Sequence, residues 1–402
     1  MMESQPETQP TSFPSIPPPP IEKKRRFSGI LLVALLLVGL VAGGLIGYAV
    51  TYTDFNNKLT DLQSQLGVYQ GSGGSTFLLN ENVSLAALYA NVKSSVVVIQ
   101  DLAPGFTMFG QRVYTLQQGS GFVAEVNNRL FVVTNDHVVT GTINVTVTFP
   151  DGNSYPATVV GQDPKADIAV LSVSSMPSGV KALPLVSSSS LSVGDPVVAV
   201  GTPYGLSGTL TTGIISALGR TITVGSDNQV IPDTIQTTTP INSGNSGGPL
   251  INYAGQVVGI TTAGISNSEA LGFAIPSSTI MRVLPSLVSS GSYDQHPSIN
   301  AVGTDMNYPI AQAMGATVTY GVLVESVSVQ NGLQGGNTIK AVLNENLDVG
   351  GDIIIGIGNV RIANTDDLLS YLEQHTLPGQ VVTFSVVRNG QTQNVQVTIG
   401  KA

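Results

Sequence analysis

Residues 244–250 read GNSGGPL, a single serine set between glycines and closed by Pro-Leu. Glycine makes up 45 of the 402 residues, so a Ser-Gly turn by itself would signify only a loop. A hydroxyl nucleophile makes a sharper demand. Backbone N–H groups beside it must face a developing oxyanion, and glycines leave that approach open. A serine hydroxyl is also a weak nucleophile until a base takes its proton and a third group orients that base. The rest of the chain must therefore supply a histidine and a carboxylate.

Both stand upstream. His137 follows the apolar run Leu130–Thr134, in Thr134-Asn135-Asp136-His137-Val138-Val139, and is the only histidine of the strand-rich region. Asp167 opens the apolar run Ile168–Val173. Asp136 is a rival orienter, but side chains of neighbouring residues usually point apart, which ranks it below Asp167. The remaining histidines, His296 and His375, read as ordinary surface residues.

Composition narrows the alternatives. Charged residues are 10% of the chain, against about 25% in an ordinary soluble domain. Net charge is −9 and no basic patch exists beyond one short run, which argues against nucleic acid as a partner. Cysteine is absent, which excludes disulfides, thiolate metal sites and a cysteine nucleophile. Three histidines make a histidine-rich metal site improbable, and no cofactor is expected. A surface built on neutral polar groups changes little when carboxylates titrate, which would suit an acidic exterior.

Residues 1–26 form a Pro-rich tail ending in Lys23-Lys24-Arg25-Arg26. The uncharged run 27–50 is long enough to cross a bilayer as one transmembrane helix, and it reads as a signal anchor. The basic cluster places the N-terminus in the cytoplasm and everything after the run outside, making a single-pass protein of the cell membrane. Phe55, Leu59, Leu62 and Leu66 make a short helical seam, and Gly71–Ser75 a flexible linker, so 51–75 is a stalk. From 76 to 288, short apolar runs alternate with turn residues, the pattern of β-barrels or a sandwich, closed by a helix at Ser277–Leu287. Ser289–Pro297 reads as a hinge. Residues 289–402 are an α+β unit: strands at Gly321–Val327 and Asp352–Ile357, a helix capped by Asn364 with the apolar face Leu368, Leu369 and Leu372, and a terminal hairpin.

Thr134–Val139, Asp167–Leu171 and Gly244–Leu250, in that order, resemble the trypsin-like double β-barrel serine proteases of the HtrA/Deg branch. Gly119-Ser120-Gly121-Phe122-Val123, Gly201–Leu206, Thr212–Ala217 and Ile235-Gln236-Thr237 add to the likeness, and the C-terminal unit resembles the PDZ domain that follows such proteases. The implied fold is mainly β: a chymotrypsin-like double β-barrel followed by an α+β PDZ domain, preceded by one transmembrane helix. The resemblance implies that His137 is the general base, Asp167 its orienter and Ser246 the acylating nucleophile. The backbone of Gly244, Asn245 and Ser246 would form the oxyanion hole, and Thr262, Ala263 and Gly264 a wall of the substrate pocket. In the PDZ domain, Val322, Leu323 and Val324 with Leu368 would flank a groove taking a peptide as an added strand.

The chain departs from the pattern at several points. Thr238 and Thr239 replace an acidic residue and Ala, and Gly264 replaces a branched residue in the pocket wall. Pro297–Ala301 replaces a Gly-hydrophobic carboxylate-binding pair, and 336–349 looks inserted. In digestive relatives the residue before the nucleophile is an aspartate that a newly cut N-terminal amine pairs with; here it is Asn245, an uncharged amide. The implied partners are unfolded or misfolded polypeptides, peptide termini or segments at the PDZ groove, the lipid bilayer, and further copies in a trimer-based homo-oligomer. The implied function is hydrolysis of misfolded extracytoplasmic protein. The rival is an inactive homologue whose PDZ groove makes it a peptide-binding chaperone or adaptor.

Overall fold

β-Branched and aromatic residues fill the short apolar runs, and such stiff side chains pack well on a pleated surface. In the computed structural model they build two closed six-stranded barrels in succession. The structure describes residues 84–402 apart from 107, 109–110, 203–207, 225–228, 243, 263–270 and 344, with Thr53 and Lys58 upstream. The apolar run 27–50, the seam and the linker lie outside the described residues. No helix among the described residues is long and apolar enough to cross a membrane.

A short helix α1 (Leu85–Val92), capped by the Ser84 hydroxyl, leads into the first barrel. Its strands are β1 (Val96–Phe106), β2 (Arg112–Val126), β3 (Arg129–Thr134), β4 (Val145–Thr148), β5 (Ser154–Asp163) and β6 (Ile168–Val173), in the order β1-β2-β3-β6-β5-β4. A one-turn helix α2 (Asp136–Val139) follows β3. The second barrel comprises β7 (Pro196–Gly201), β8 (Thr209–Val224), β9 (Gln229–Thr237), β10 (Pro249–Ile251), β11 (Val257–Thr262) and β12 (Gly272–Pro276), ordered β10-β11-β12-β9-β8-β7.

Phe122, Phe131, Ile168 and Ile260 are wholly or almost wholly buried in the shared core. Truncating such a phenylalanine to alanine costs roughly 3–5 kcal/mol. The sequence marks a strand at 96–99, whereas β1 runs on to Phe106, paired with β2 down to Arg112. Residues 112–117 of that ribbon are exposed, so no buried face announces it in the sequence.

Helix α3 (Ser277–Ser290) closes the protease part and lies against β5. The approach is so close that a Cβ at Gly161 would stand 2.3 Å from the Leu287 carbonyl oxygen, which accounts for glycine there. The segment 289–297, expected as a hinge, touches the first barrel at its start. Gly291 caps the helix in the left-handed conformation, and its carbonyl accepts the Gln162 N–H at 3.1 Å.

The C-terminal unit contains β13 (Pro297–Ser298), β14 (Ala301–Asp305), α4 (Tyr308–Met314), β15 (Val322–Val327), β16 (Thr338–Val342), β17 (Glu345–Val349), β18 (Ile353–Ile357), β19 (Val360–Arg361), α5 (Thr365–His375), β20 (Val381–Arg388), β21 (Gln391–Thr398) and β22 (Gly400–Lys401). The main sheet runs β14-β15-β18-β20-β21, and the segment that looked inserted folds back as the β16–β17 hairpin. Here the expected peptide groove needs correction. Val322, Leu323 and Val324 lie on β15, which has strand neighbours on both sides, so it has no free edge to offer. Those three and Leu368 are buried core. The strand at the end of the sheet is β14, and Thr365 at the start of α5 donates to Asp305 at its end.

Helix α5 has a second, polar face, which docks on the barrels. Asp366 accepts the Thr221 N–H and pairs with Arg220; Ser370 and Gln374 donate to Asp233; Glu373 pairs with Arg282. His296, expected at the surface, is 5% exposed and lies between Glu373 on α5 and Asp163 at the end of β5. Its Nδ1 is 3.0 Å from Glu373 Oε1 and its Nε2 is 2.9 Å from Asp163 Oδ2, so both ring nitrogens donate and the ring is an imidazolium. Sequence spacing could not show this, because the two carboxylates come from different domains.

Burial pulls the His296 pKa down, but the two carboxylates more than offset it and raise it to about 9. A pKa raised on folding contributes stability that is full below the unfolded value near 6.5 and lost as pH rises through the folded one. The shift corresponds to about 3 kcal/mol. The melting temperature should therefore fall between pH 6.5 and 9.5, and His296→Gln should flatten that fall while lowering stability at pH 6. An equal fall in both proteins would remove His296 as its source.

Candidate active site

The site forms where elements of both barrels meet. Asp167 occupies the left-handed conformation (φ 53°) at the end of the one-turn 3₁₀ helix Pro164–Ala166, immediately before β6. That turn is held by the Asp163 carboxylate, which accepts the Ala166 N–H at 3.3 Å. Asp167 is 2% exposed, and its carboxylate points across the site. Its Oδ1 accepts the His137 backbone N–H at 2.9 Å, and both carboxylate oxygens lie 2.9 Å from His137 Nδ1. Asn135 donates to its carbonyl at 2.9 Å. This fork leaves His137 Nε2 without a partner among the described residues, on a side chain 39% exposed.

Asp136, the rival orienter, turns away. It accepts from Thr140 Oγ1 at 2.9 Å and Gln162 Nε2 at 2.8 Å, and burial raises its pKa. A contribution invisible in the sequence comes from Thr262. Its side chain, expected in the pocket wall, is wholly buried and donates from Oγ1 to Asp167 Oδ2 at 3.0 Å. Ala263 and Gly264 lie outside the described residues.

The preceding residue on β11, Thr261, holds the serine loop. Its Oγ1 donates to the Asn245 carbonyl at 2.6 Å and its own carbonyl accepts the Gly247 N–H at 2.8 Å. Consecutive residues of one strand thus position Asp167 and Ser246. Gly119 brings the same parts together from β2: a Cβ there would stand 2.7 Å from Val138, next to His137, and 3.3 Å from the Ser246 carbonyl oxygen.

Asn245 lies between the two expected oxyanion donors, Gly244 and Ser246, and its own N–H donates to the Asn242 carbonyl at 2.9 Å. The Ser246 and Gly244 N–H groups have no acceptor among the described residues. Among those residues no hydrogen bond joins Ser246 Oγ to His137, a contact that is often long without substrate and tightens on binding. No group of three or more potential metal ligands occurs among the described residues. A buried carboxylate, an imidazole fixed by it, and a serine beside unspent backbone donors form a set suited to acyl transfer.

A family model for the trypsin-like peptidase domain matches residues 119–260, and one for the PDZ domain matches residues 302–399. The chain is 32% identical over 411 aligned positions to "Serine protease PepD" of Mycobacterium tuberculosis, covering 96% of this chain and 81% of that protein. It is 33% identical over 327 positions to "Protease Do-like 1, chloroplastic" of Arabidopsis thaliana, covering 80% and 73%. Against "Periplasmic serine endoprotease DegP" of Escherichia coli it is 33% identical over 294 positions, covering 72% and 58%. The solved structure titled "HtrA-type protease AlgW with tripeptide" superposes with a TM-score of 0.60 at 29% identity, covering 79% of this chain and 97% of that one.

Burial lowers the His137 pKa, but the hydrogen bond and charge of Asp167, with the charge of Asp136, outweigh it and place the pKa above its ordinary value. Titration of His137 by NMR should give a midpoint above about 6.5. In Asp167→Asn the dominant raising contributions are gone while burial remains, so the midpoint should drop below that value. An unchanged midpoint in the variant would show that Asp167 does not govern this imidazole.

Proposed function

Since the chain belongs to the HtrA/DegP-type trypsin-like serine endopeptidases with a C-terminal PDZ domain, we propose that His137, Asp167 and Ser246 are its catalytic triad and that it degrades misfolded extracytoplasmic protein from a membrane anchor. The observation that carries this reading is the buried Asp167 carboxylate bonded to His137 through both the ring and the backbone N–H.

In the mechanism, His137 Nε2 takes the Ser246 proton as Oγ attacks the scissile carbonyl. Asp167 keeps the proton on Nδ1 and stabilises the imidazolium that forms. The carbonyl oxygen becomes an oxyanion facing the N–H groups of Ser246 and Gly244; one such donor is worth about 3 kcal/mol in the transition state. His137 then returns its proton to the leaving amine. The acyl-enzyme is released by water through the same steps reversed. Extended peptide segments would add to the sheet at the β14 edge beside α5.

For the anchor, Lys23–Arg26 followed by the uncharged run 27–50 supports a single span with the N-terminus cytoplasmic and the catalytic and PDZ domains outside. Assembly into a trimer-based homo-oligomer is proposed on the family likeness.

Ser246→Ala should lower casein cleavage by at least about 10³-fold and abolish fluorophosphonate labelling, with the melting temperature unchanged. Labelling that persists in the variant would refute the nucleophile. Protease added to intact cells should digest the portion from about residue 76 onward, and carbonate washing should leave the protein in the membrane pellet. A soluble mature form starting near residue 50 would show that the run is removed as a signal.

A further inference from the structure

We propose that Ser120, on β2 of the first barrel, is a positioning residue that latches the nucleophile loop of the second barrel in the conformation that presents the Ser246 N–H to the oxyanion; this rests on the reading of Ser246 as nucleophile. A trans peptide plane points its carbonyl and its N–H in opposite directions, so bonding both ends fixes it. The Gly244–Asn245 plane is fixed in this way. Ser120 Oγ donates to the Gly244 carbonyl at 2.6 Å, and the Asn245 N–H donates to the Asn242 carbonyl at 2.9 Å.

In the next plane, the Asn245 carbonyl accepts from Thr261 Oγ1 at 2.6 Å and from the Gly248 N–H at 2.9 Å, which turns the Ser246 N–H the other way. In the plane after that, the Ser246 carbonyl accepts the Ser120 N–H at 2.8 Å and the Gly247 N–H donates to Thr261. From the Gly244 carbonyl to the Gly247 N–H, the Ser246 N–H is the one backbone group left without a partner among the described residues, and Ser120 grips the loop on both sides of it.

The Ser120 hydroxyl has no freedom to do otherwise. It is fully buried, donates its single proton to Gly244, and accepts the Thr202 N–H at 2.9 Å, with Thr202 Oγ1 at 3.1 Å. Its carbonyl accepts Thr134 Oγ1 at 2.8 Å, at the end of the strand that leads to His137. The grip also explains the glycine after the nucleophile. At Gly247 (φ +84°), a Cβ would stand 2.1 Å from the Ser120 carbonyl oxygen and 2.3 Å from Thr134 Oγ1.

Asn245 carries no charge, so it cannot form the ion pair with an ammonium group that an aspartate at 245 could, and the loop around it is held by neutral hydrogen bonds. The competing explanation is that Ser120 is only a satisfied buried hydroxyl between two barrels.

The two are separated with the full-length protein in detergent, assayed well below its melting temperature. Ser120→Ala should lower kcat on a peptide substrate about 10–100-fold with KM within about threefold. Its Kd for a peptide boronic acid, whose tetrahedral adduct places an oxygen in the oxyanion site, should rise by the factor by which kcat/KM falls. Ser188→Ala, which removes a buried hydroxyl bonded to Ser278, should lower the melting temperature yet leave both constants within about threefold. Ser120→Cys keeps the packing with a weaker donor and should fall between wild type and Ser120→Ala, which covers the case of an Ala variant that does not fold. Wild-type kcat and boronate affinity in either Ser120 variant would overturn the latch. A wild-type protein that fluorophosphonate fails to label would instead sink the Ser246 reading on which it rests.

Discussion

Two buried hydroxyl bridges run in opposite directions across the seam between the barrels, and the site depends on both. Thr262 of the second barrel donates to Asp167 of the first, and Ser120 of the first donates to Gly244 of the second. Each ends on a group that would be costly to leave unpaired: a carboxylate 2% exposed in one case, a buried backbone carbonyl in the other. The Asp167 carboxylate also accepts from His137 within its own barrel, so Thr262 adds a donor from across the seam. The Gly244 carbonyl, by contrast, has its donor only from Ser120 among the described residues. The seam is therefore fixed by polar satisfaction, on top of the apolar core the barrels share, and this fixes where Asp167 and Ser246 stand relative to each other.

The same logic reaches the PDZ domain through Asp163. One of its oxygens caps the turn that presents Asp167, and its carboxylate also pairs with His296. Beyond His296 the chain of contacts runs to Glu373 on α5 and on to Arg282 of α3. A buried ionic cluster of this kind is weak evidence for net stability, since desolvation offsets much of the attraction. What it provides is orientation: an imidazolium between two carboxylates accepts only one register of α5 on the barrels. Position 163 is thus shared by the domain interface and the turn before the candidate catalytic carboxylate.

Much of this was legible in the chain. The strand periods, the closing helix, the Asn364 cap and the apolar face of α5 all follow from local pattern, because each is decided within about a dozen residues. Ser246, His137 and Asp167 stand out because their residue types and glycine setting suit one chemistry. What local pattern could not carry was pairing at a distance. Ser120 sits inside a recognisable motif, but its partner Gly244 is 124 residues away. His296 looked like a surface residue because neither carboxylate that buries it is a sequence neighbour. Val322–Val324 read as a groove strand, since an apolar run looks the same at the edge of a sheet as in its middle; only the pairing order separates β15 from β14.

The sparse charge of the sequence acquires a sharper meaning in the fold. Asp101 is 1% exposed, neither of its carboxylate oxygens has a hydrogen-bond partner among the described residues, and burial pushes its pKa up to about 6. Burial raises Asp136 and Asp233 as well, and His296 is held high by its two carboxylates. A folded-state pKa above the unfolded one always acts in the same direction: its contribution is present below the unfolded value and lost as pH rises through the folded one. For the three aspartates that loss begins near pH 4, and for His296 near pH 6.5. Glu373 opposes them, since His296 and Arg282 outweigh its burial and lower its pKa, so its contribution is lost as pH falls through that lowered value. These raised groups therefore favour the acid side, and Glu373 acts against them as pH falls.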